Sequence, residues 1–259
     1  MKTSVSWFIF LLISLLVTSK VISQNIRLGL KGGLSLPNLS SSGGSDVSKG
    51  YKTISGPDFG LILDYTIAKK ISIETGLEFS TQGGQKSGLQ TIPASPELAQ
   101  YFPSGSNVQF LYANFTSTVR LQYLMLPVLI KYTVDLDDAG HWKLFWDGGV
   151  FGGLLLTANA SAEGSSKVYY DKAETNQVGS VAVEFDSTGN IKNQLHKANF
   201  GIQGNVGGLY HLNSFSYFLE AGGNYGFINL QKDSRNGINY TGALIFRIGI
   251  LYDFKSKGK

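Results

Sequence analysis

The stretch GINYTGALIFRIGILYDF, Gly237–Phe254, is apolar enough for a protein core, yet it carries Arg247 near its middle. Taken at every second residue it separates into two rows. Ile238, Tyr240, Leu244, Phe246, Ile248, Ile250, Tyr252 and Phe254 form one, broken by Gly242. Asn239, Thr241, Ala243, Ile245, Arg247, Gly249, Leu251 and Asp253 form the other. A period of two is the signature of a strand, because successive side chains leave opposite faces. This strand is long, greasy on one side, and holds a guanidinium on the other.

The same alternation recurs along the chain. Ile26, Leu28, Leu30, Leu34 and Leu36 oppose Arg27, Gly29, Lys31, Gly33 and Ser35. Phe59, Leu61, Leu63, Tyr65 and Ile67 oppose Asp58, Gly60, Ile62, Asp64 and Thr66, and a turn at 68–70 leads to Ile71, Ile73, Leu77 and Phe79 against Ser72, Glu74, Gly76, Glu78 and Ser80. Val119, Leu121, Tyr123 and Met125 share one face, and past Pro127 the apolar parity moves to Val128, Ile130 and Tyr132. Proline lacks the ladder N–H, so a bulge is expected there. Three further strands begin at Trp142, Ala198 and Phe215, making eight with Gly237–Phe254. Each is long enough to cross a bilayer at a tilt, for which about 9–11 residues suffice. Connections alternate between short turns and longer segments, the longest being 82–117 and 157–196. That rhythm, with an even strand count, predicts an all-β, eight-stranded antiparallel up-and-down transmembrane β-barrel with short periplasmic turns and long extracellular loops.

The two rows decide which way the barrel faces. A solvated sheet face is crowded with Lys and Glu; here the polar rows carry glycine, small polar groups and single charges of both signs. If lipid bathes the apolar rows, the charges point into a narrow lumen and pair. The interior ion-pair candidates are Arg27, Lys31, Arg120, Lys143 and Arg247 against Asp58, Asp64, Glu74, Glu78, Asp147 and Glu220. A basic residue left at the lipid midplane would cost roughly 2–4 kcal/mol. Aromatics near strand ends (Tyr65, Phe79, Tyr132, Trp142, Tyr210, Phe215, Tyr252, Phe254) suit interfacial girdles. The lumen of eight strands is just wide enough for side chains to fill, so a packed ion-pair interior is favoured over a channel.

Composition limits the alternatives. The 259 residues include no cysteine, which excludes disulfides, thiolate metal sites and a cysteine nucleophile. Three histidines are too scattered for a metal site, and no cofactor is expected. The net charge of +4 lies in no basic run with interleaved aromatics, so no nucleic-acid partner is expected. At the N-terminus Met1-Lys2, the apolar run WFIFLLISLLV (7–17) and Val21 and Ser23 before Gln24 read as a secretory signal peptide over residues 1–23, leaving a barrel domain over 24–259. Outer-membrane localisation follows.

GLKGGLSLPNLS, ISIETGLEFSTQGG and above all YLMLPVLIKY (Tyr123–Tyr132) resemble the PorT-like outer-membrane β-barrel family of Bacteroidetes type. The resemblance covers nearly all of the mature chain. It implies an eight-stranded barrel in the outer membrane and no defined activity.

Catalytic constellations are weak. Asp137 and Asp138 with His141 fall in a short periplasmic turn, His196 lacks a companion serine, and His211 suits an interior or interfacial hydrogen bond. Asp135, Asp137 and Asp138 read as a solvated turn before a calcium site. The glycines of GGLSLPNLSSSGG have no helix behind them to cradle a phosphate. The sequence therefore favours a non-enzymatic structural or interaction protein. Its partners are outer-membrane lipid and, through loops 82–117 and 157–196, a surface protein or polysaccharide. A small passive pore and a soluble exported ligand-binding barrel are the alternatives.

Overall fold

The computed structural model describes residues 26–42, 46–94 and 108–254; the expected signal peptide lies outside them. Among the described residues eleven strands form one antiparallel sheet: β1 (Ile26–Ser42), β2 (Gly56–Ala68), β3 (Ile71–Pro93), β4 (Phe110–Asp135), β5 (Trp142–Glu163), β6 (Ser165–Tyr169), β7 (Gln177–Glu184), β8 (Ser187–Asn190), β9 (Ala198–Leu212), β10 (Phe215–Gly226) and β11 (Ile238–Phe254). Eight of them, β1 to β5 and β9 to β11, close a ring in which β11 pairs with β1 and β9 with β5. Closure leaves no open edge within lipid, where an unpaired backbone group would find no water.

Following paired residues once round the ring from Ile26 passes Tyr65, Ile73, Ile130, Gly148, Gly204, Gly223 and Leu244, and returns to β1 at Leu36. The return point lies ten residues along the strand from its start. With about 3.3 Å of rise per residue and about 4.8 Å between strands, that stagger tilts the strands by roughly 40°. Tyr210 and Phe200 on β9, like Phe215 and Tyr225 on β10, stand ten residues apart. Ten residues at that tilt climb about 25 Å, the height of the lipid-facing band of such barrels. Aromatic pairs ring both levels: Trp142–Tyr210 at 4.7 Å and Phe215–Tyr252 at 5.2 Å below, Phe59–Phe79 at 4.8 Å and Tyr225–Phe227 at 5.9 Å above.

The apolar rows face outward. Leu244, Ile248, Ile130 and Leu219 are each more than 60% exposed, whereas Arg247 between its greasy neighbours is 1% exposed. The soluble alternative, with apolar rows inward, is thereby corrected.

Two other expectations need correction. Segments 82–117 and 157–196 are not loops throughout. β3 runs on to Pro93 and β4 begins at Phe110, so they form a hairpin standing beyond the membrane. β6 adds to β4 and β8 to β5, with β7 on β6. Outside lipid no row has to be apolar, so the alternation fades although the strands continue. Nor is there a bulge at Pro127: the register with β5 is unbroken there, and shifts instead between Gln122 and Tyr123. The apparent change of parity arises because Leu121, Tyr123, Met125 and Leu129 point inward and are buried while Leu124, Leu126, Val128 and Ile130 face out, so both rows are apolar.

Candidate functional site

The lumen is filled in layers. At the periplasmic mouth Arg27 Nη2 donates to Asp64 Oδ1 at 2.8 Å, and its Nε lies 3.8 Å from Asp253. One rung higher, Ile62, Phe145, Leu209, Phe218 and Leu251 close an apolar layer. Phe145 fits because its cross-strand partner is Gly207, where a Cβ would lie 2.5 Å from the ring.

Above this layer sits the charged centre. Arg247 Nη1 lies 3.1 Å from Glu78 and 3.3 Å from Asp58, its Nε lies 2.8 Å from Glu220, and its Nη2 donates to Asn205 at 3.2 Å. Lys31 Nζ approaches Glu78 at 2.5 Å and Glu74 at 3.3 Å. Lys131 donates to Glu74, lies 3.6 Å from Asp64 and stacks 4.7 Å over the Phe145 ring. These groups are all at most 6% exposed. Buried charges persist only when paired and hydrogen-bonded, and here each cation serves at least two carboxylates. Toward the outer end Leu121, Tyr123, Met125, Phe151 and Leu155 form a second apolar layer, topped by Leu195 and Leu230 from the outer connections.

The sequence-derived candidates thus separate. Lys31, Asp58, Asp64, Glu74, Glu78, Glu220 and Arg247 converge in the interior, with Arg27 at its rim. Asp147 is inside too, but its partner is the amide of Asn205 at 2.7 Å rather than a cation. Lys143 sits at the periplasmic edge and pairs with the exposed Asp135 at 3.0 Å. Arg120 is a correction. It lies on the outer row of β4 beyond the lipid band, exposed, and donates to the Ser55 carbonyl at 2.8 Å. Lys131 was absent from the sequence-derived set. Its signal was present, since it lies opposite Val128, Ile130 and Tyr132 in the row that faces the lumen; the bulge expected at Pro127 misplaced the stretch before it, Arg120 included, and not Lys131.

Among the described residues the histidines assemble no catalytic relay. His141 Nδ1 stands 3.7 Å from Asp137, whose other oxygen accepts from the Trp142 amide and closes the turn. His196 Nδ1 meets the Asn229 carbonyl. His211 is near both Ser216 Oγ (3.0 Å) and Asp253 Oδ2 (3.3 Å), but both contacts fall on Nδ1. A Ser–His–acid relay uses the two ring nitrogens separately. Among the described residues, no group of three or more His, Asp or Glu is arranged to hold a metal ion.

Outside the membrane the hairpin of β3 and β4 with β6 and β7 has its own small core of Leu111, Ala113 and Val168, flanked by Ile92, Phe115 and Phe185. Phe115 and Phe185 stack at 4.5 Å. This crown is a packed structure, not a slack loop. Its outermost strand, β7, pairs only with β6 among the described residues and leaves Val181 75% exposed.

A closed ring with lipid-facing apolar rows, two aromatic girdles and a paired polar lumen defines an integral outer-membrane β-barrel. The chain belongs to the outer membrane protein beta-barrel domain family, whose model matches residues 22–232, and its place is the outer membrane. No curated protein matches the sequence. Among solved structures it is similar to Neisserial surface protein A, at 13% identity over 91% of this chain and 100% of that one, with a TM-score of 0.38. It is similar also to OprG from Pseudomonas aeruginosa (13% identity, 90% and 97% covered, TM-score 0.40) and to the outer membrane protease OmpT from Escherichia coli (10% identity, 92% and 99% covered, TM-score 0.42).

Proposed function

We propose that this barrel is a closed membrane anchor whose work is done by its crown, in a structural or interaction role without catalysis. The observation that carries the reading is the contrast between the two ends of one continuous hairpin. Within the membrane β3 and β4 wall a lumen blocked by two apolar layers and an ion-pair centre. Beyond it the same strands rise into a crown with a core and an open strand edge. The interior charges are read as structural: they hold the ring together and do not transport. The partners fitting the crown are a surface protein or polysaccharide, met through 82–117 and 157–196.

Two finer expectations belong to the same reading. The PorT-like likeness within the family rests on the Tyr123–Tyr132 stretch, and residues 1–23 are read as the export signal, with the mature barrel domain over 24–259. N-terminal sequencing of the protein from outer membranes should return Gln24 first.

Planar-bilayer recordings test the anchor reading against the passive pore. The purified barrel should give no unitary conductance steps; reproducible steps would favour the pore. Surface crosslinking on intact cells tests the crown. A chain in which Gly88–Phe115 is replaced by a short turn should still assemble but lose its crosslinked partners. Unchanged capture would reject the role of the crown.

A further inference from the structure

One recess of the crown has a chemistry of its own. It has a volume of about 260 Å³ and is built from four separate segments. The connection between β1 and β2 supplies Asp46 and Lys49, the outer part of β3 supplies Lys86 and Gln90, and Tyr112 and Lys172 come from β4 and the turn after β6. Three ammonium groups face one carboxylate. Asp46 is shared, with Lys172 at 3.3 Å and Lys49 at 3.6 Å, and those two cations hold its carboxyl below the usual range.

Lys86 differs from the other two. Its Nζ donates to the Val47 carbonyl and lies 4.4 Å over the Tyr51 ring. No carboxylate of the described residues comes within 4.0 Å of it. Burial lowers its pKa to about 8. A carbonyl dipole and a ring face compensate an ammonium less than an anion does. An anion entering this recess therefore meets a partly desolvated cation that lacks a counter-ion, with two further lysines at the rim.

We propose that this recess binds an acidic saccharide, through a sulfate or phosphate ester on one sugar unit held by Lys86 with Lys49 and Lys172. The inference rests on the interaction role proposed above and specifies its ligand class. The volume is below the roughly 300–1,000 Å³ of pockets for drug-sized molecules, which suits one charged sugar of a chain. Tyr112, Gln90 and Thr91 also line the recess, with the Gln90 amide nitrogen bonded to the Phe115 carbonyl at 2.6 Å. Position selects the source. Phe79 marks the outer aromatic level on β3, and Lys86 lies seven residues beyond it. At the tilt derived above that is roughly 18 Å past the lipid band. A glycan strand outside the membrane reaches that height, whereas the phosphates of the membrane's own glycolipid headgroups lie at the band itself.

The test uses the full barrel in lipid nanodiscs. Binding of a chondroitin sulfate hexasaccharide, a neutral dextran fragment and nanodiscs containing phosphorylated lipid A is measured at pH 7 and pH 9.5. The proposal expects saturable binding of the sulfated sugar at pH 7, at least tenfold weaker at pH 9.5, and at least tenfold weaker in Lys86→Met. Neither the neutral fragment nor lipid A should compete. Lys49→Ala/Lys172→Ala should weaken binding further and steepen no salt dependence. Heat-modifiable gel mobility reports that each variant is folded. Equal binding by wild type and Lys86→Met, equal binding of the neutral fragment, or binding confined to lipid A would overturn the proposal. Deletion of the crown separates the two levels of inference: capture of partners lost on deletion but retained in Lys86→Met rejects the saccharide site and leaves the crown's role intact.

Discussion

Replacing Arg247 by methionine is the sharpest probe of the lumen. The guanidinium is 1% exposed and stands between Asp58, Glu78 and Glu220 at 3.3, 3.1 and 2.8 Å. Without it, Glu78 retains Lys31 at 2.5 Å, and Glu220 retains it only at 4.0 Å. Asp58 keeps no cation within 4.0 Å among the described residues. Removing one partner of a buried pair typically costs about 3–5 kcal/mol, because the remaining charge is left uncompensated. Three carboxylates share the loss here, which places the effect toward the upper end. Methionine has similar volume and leaves little cavity, so the measured cost is electrostatic. Urea unfolding of the refolded barrel, followed by Trp142 and Trp146 fluorescence, gives the readout. With a slope of about 2 kcal/mol per molar urea, the midpoint should fall by about 2 M. The double variant Arg247→Met/Asp58→Asn should recover at least about 1 kcal/mol relative to the sum of the two single changes. A single-variant loss below about 1 kcal/mol, or strict additivity in the double variant, would show that the charges do not form one network.

Ile248→Arg places a cation on the neighbouring outer position, near mid-height of the lipid band, and should cost roughly 2–4 kcal/mol in the same unfolding assay. Arg120→Ala should cost less than about 1 kcal/mol, since it removes one exposed hydrogen bond to a backbone carbonyl; a loss comparable to that of Arg247→Met would contradict its placement outside the lumen. Lys86 makes the crown pH-sensitive. Its folded pKa of about 8 lies below the ordinary lysine value, so the folded state releases this proton before the unfolded one does. Crown stability should therefore rise as pH increases through about 8 and level off near 10.5. Amide hydrogen exchange of β3 and β4 beyond Gly83, corrected for intrinsic rate, should show this rise in the wild type and not in Lys86→Met.

The parts of the fold legible in the sequence are those where lipid imposes a pattern. In Gly237–Phe254 every outward side chain within the band must be apolar, so Arg247 could only point inward, and it does. The same logic placed Lys31, Asp64, Glu74, Glu78 and Glu220. It failed where the lumen itself is apolar. Tyr123 and Met125 inside alternate with Leu124 and Leu126 outside, and hydrophobicity alone carries no period there. It failed again in 82–93 and 110–117, where the strands leave the membrane and no face needs to be greasy. Arg120 was misplaced by the first of these effects, and the crown with its lysine recess was lost to the second. That recess is assembled from segments far apart in the chain, and only the register brings them together.

Register is also the link between the buried charges and the crown. Lipid rewards any outward apolar side chain and so does little to choose among alignments. The lumen discriminates. Slipping β11 by one residue would exchange Arg247 with Ile248 or Phe246, moving a cation into lipid and stripping three carboxylates of their partner. Each basic interior residue imposes a penalty of the same kind on its own strand: Lys31 on β1, Lys131 on β4 and Arg247 on β11. The ladder of β3 and β4 then carries that alignment outward without a shift, from Ser72 opposite Lys131 to Lys86 opposite Ser117. The geometry of the lysine recess is set, in this way, by ion pairs at the far end of the same hairpin. A destabilised lumen should consequently loosen the crown before the ring opens, because the crown's small core of Leu111, Ala113 and Val168 relies on a stem held in one register.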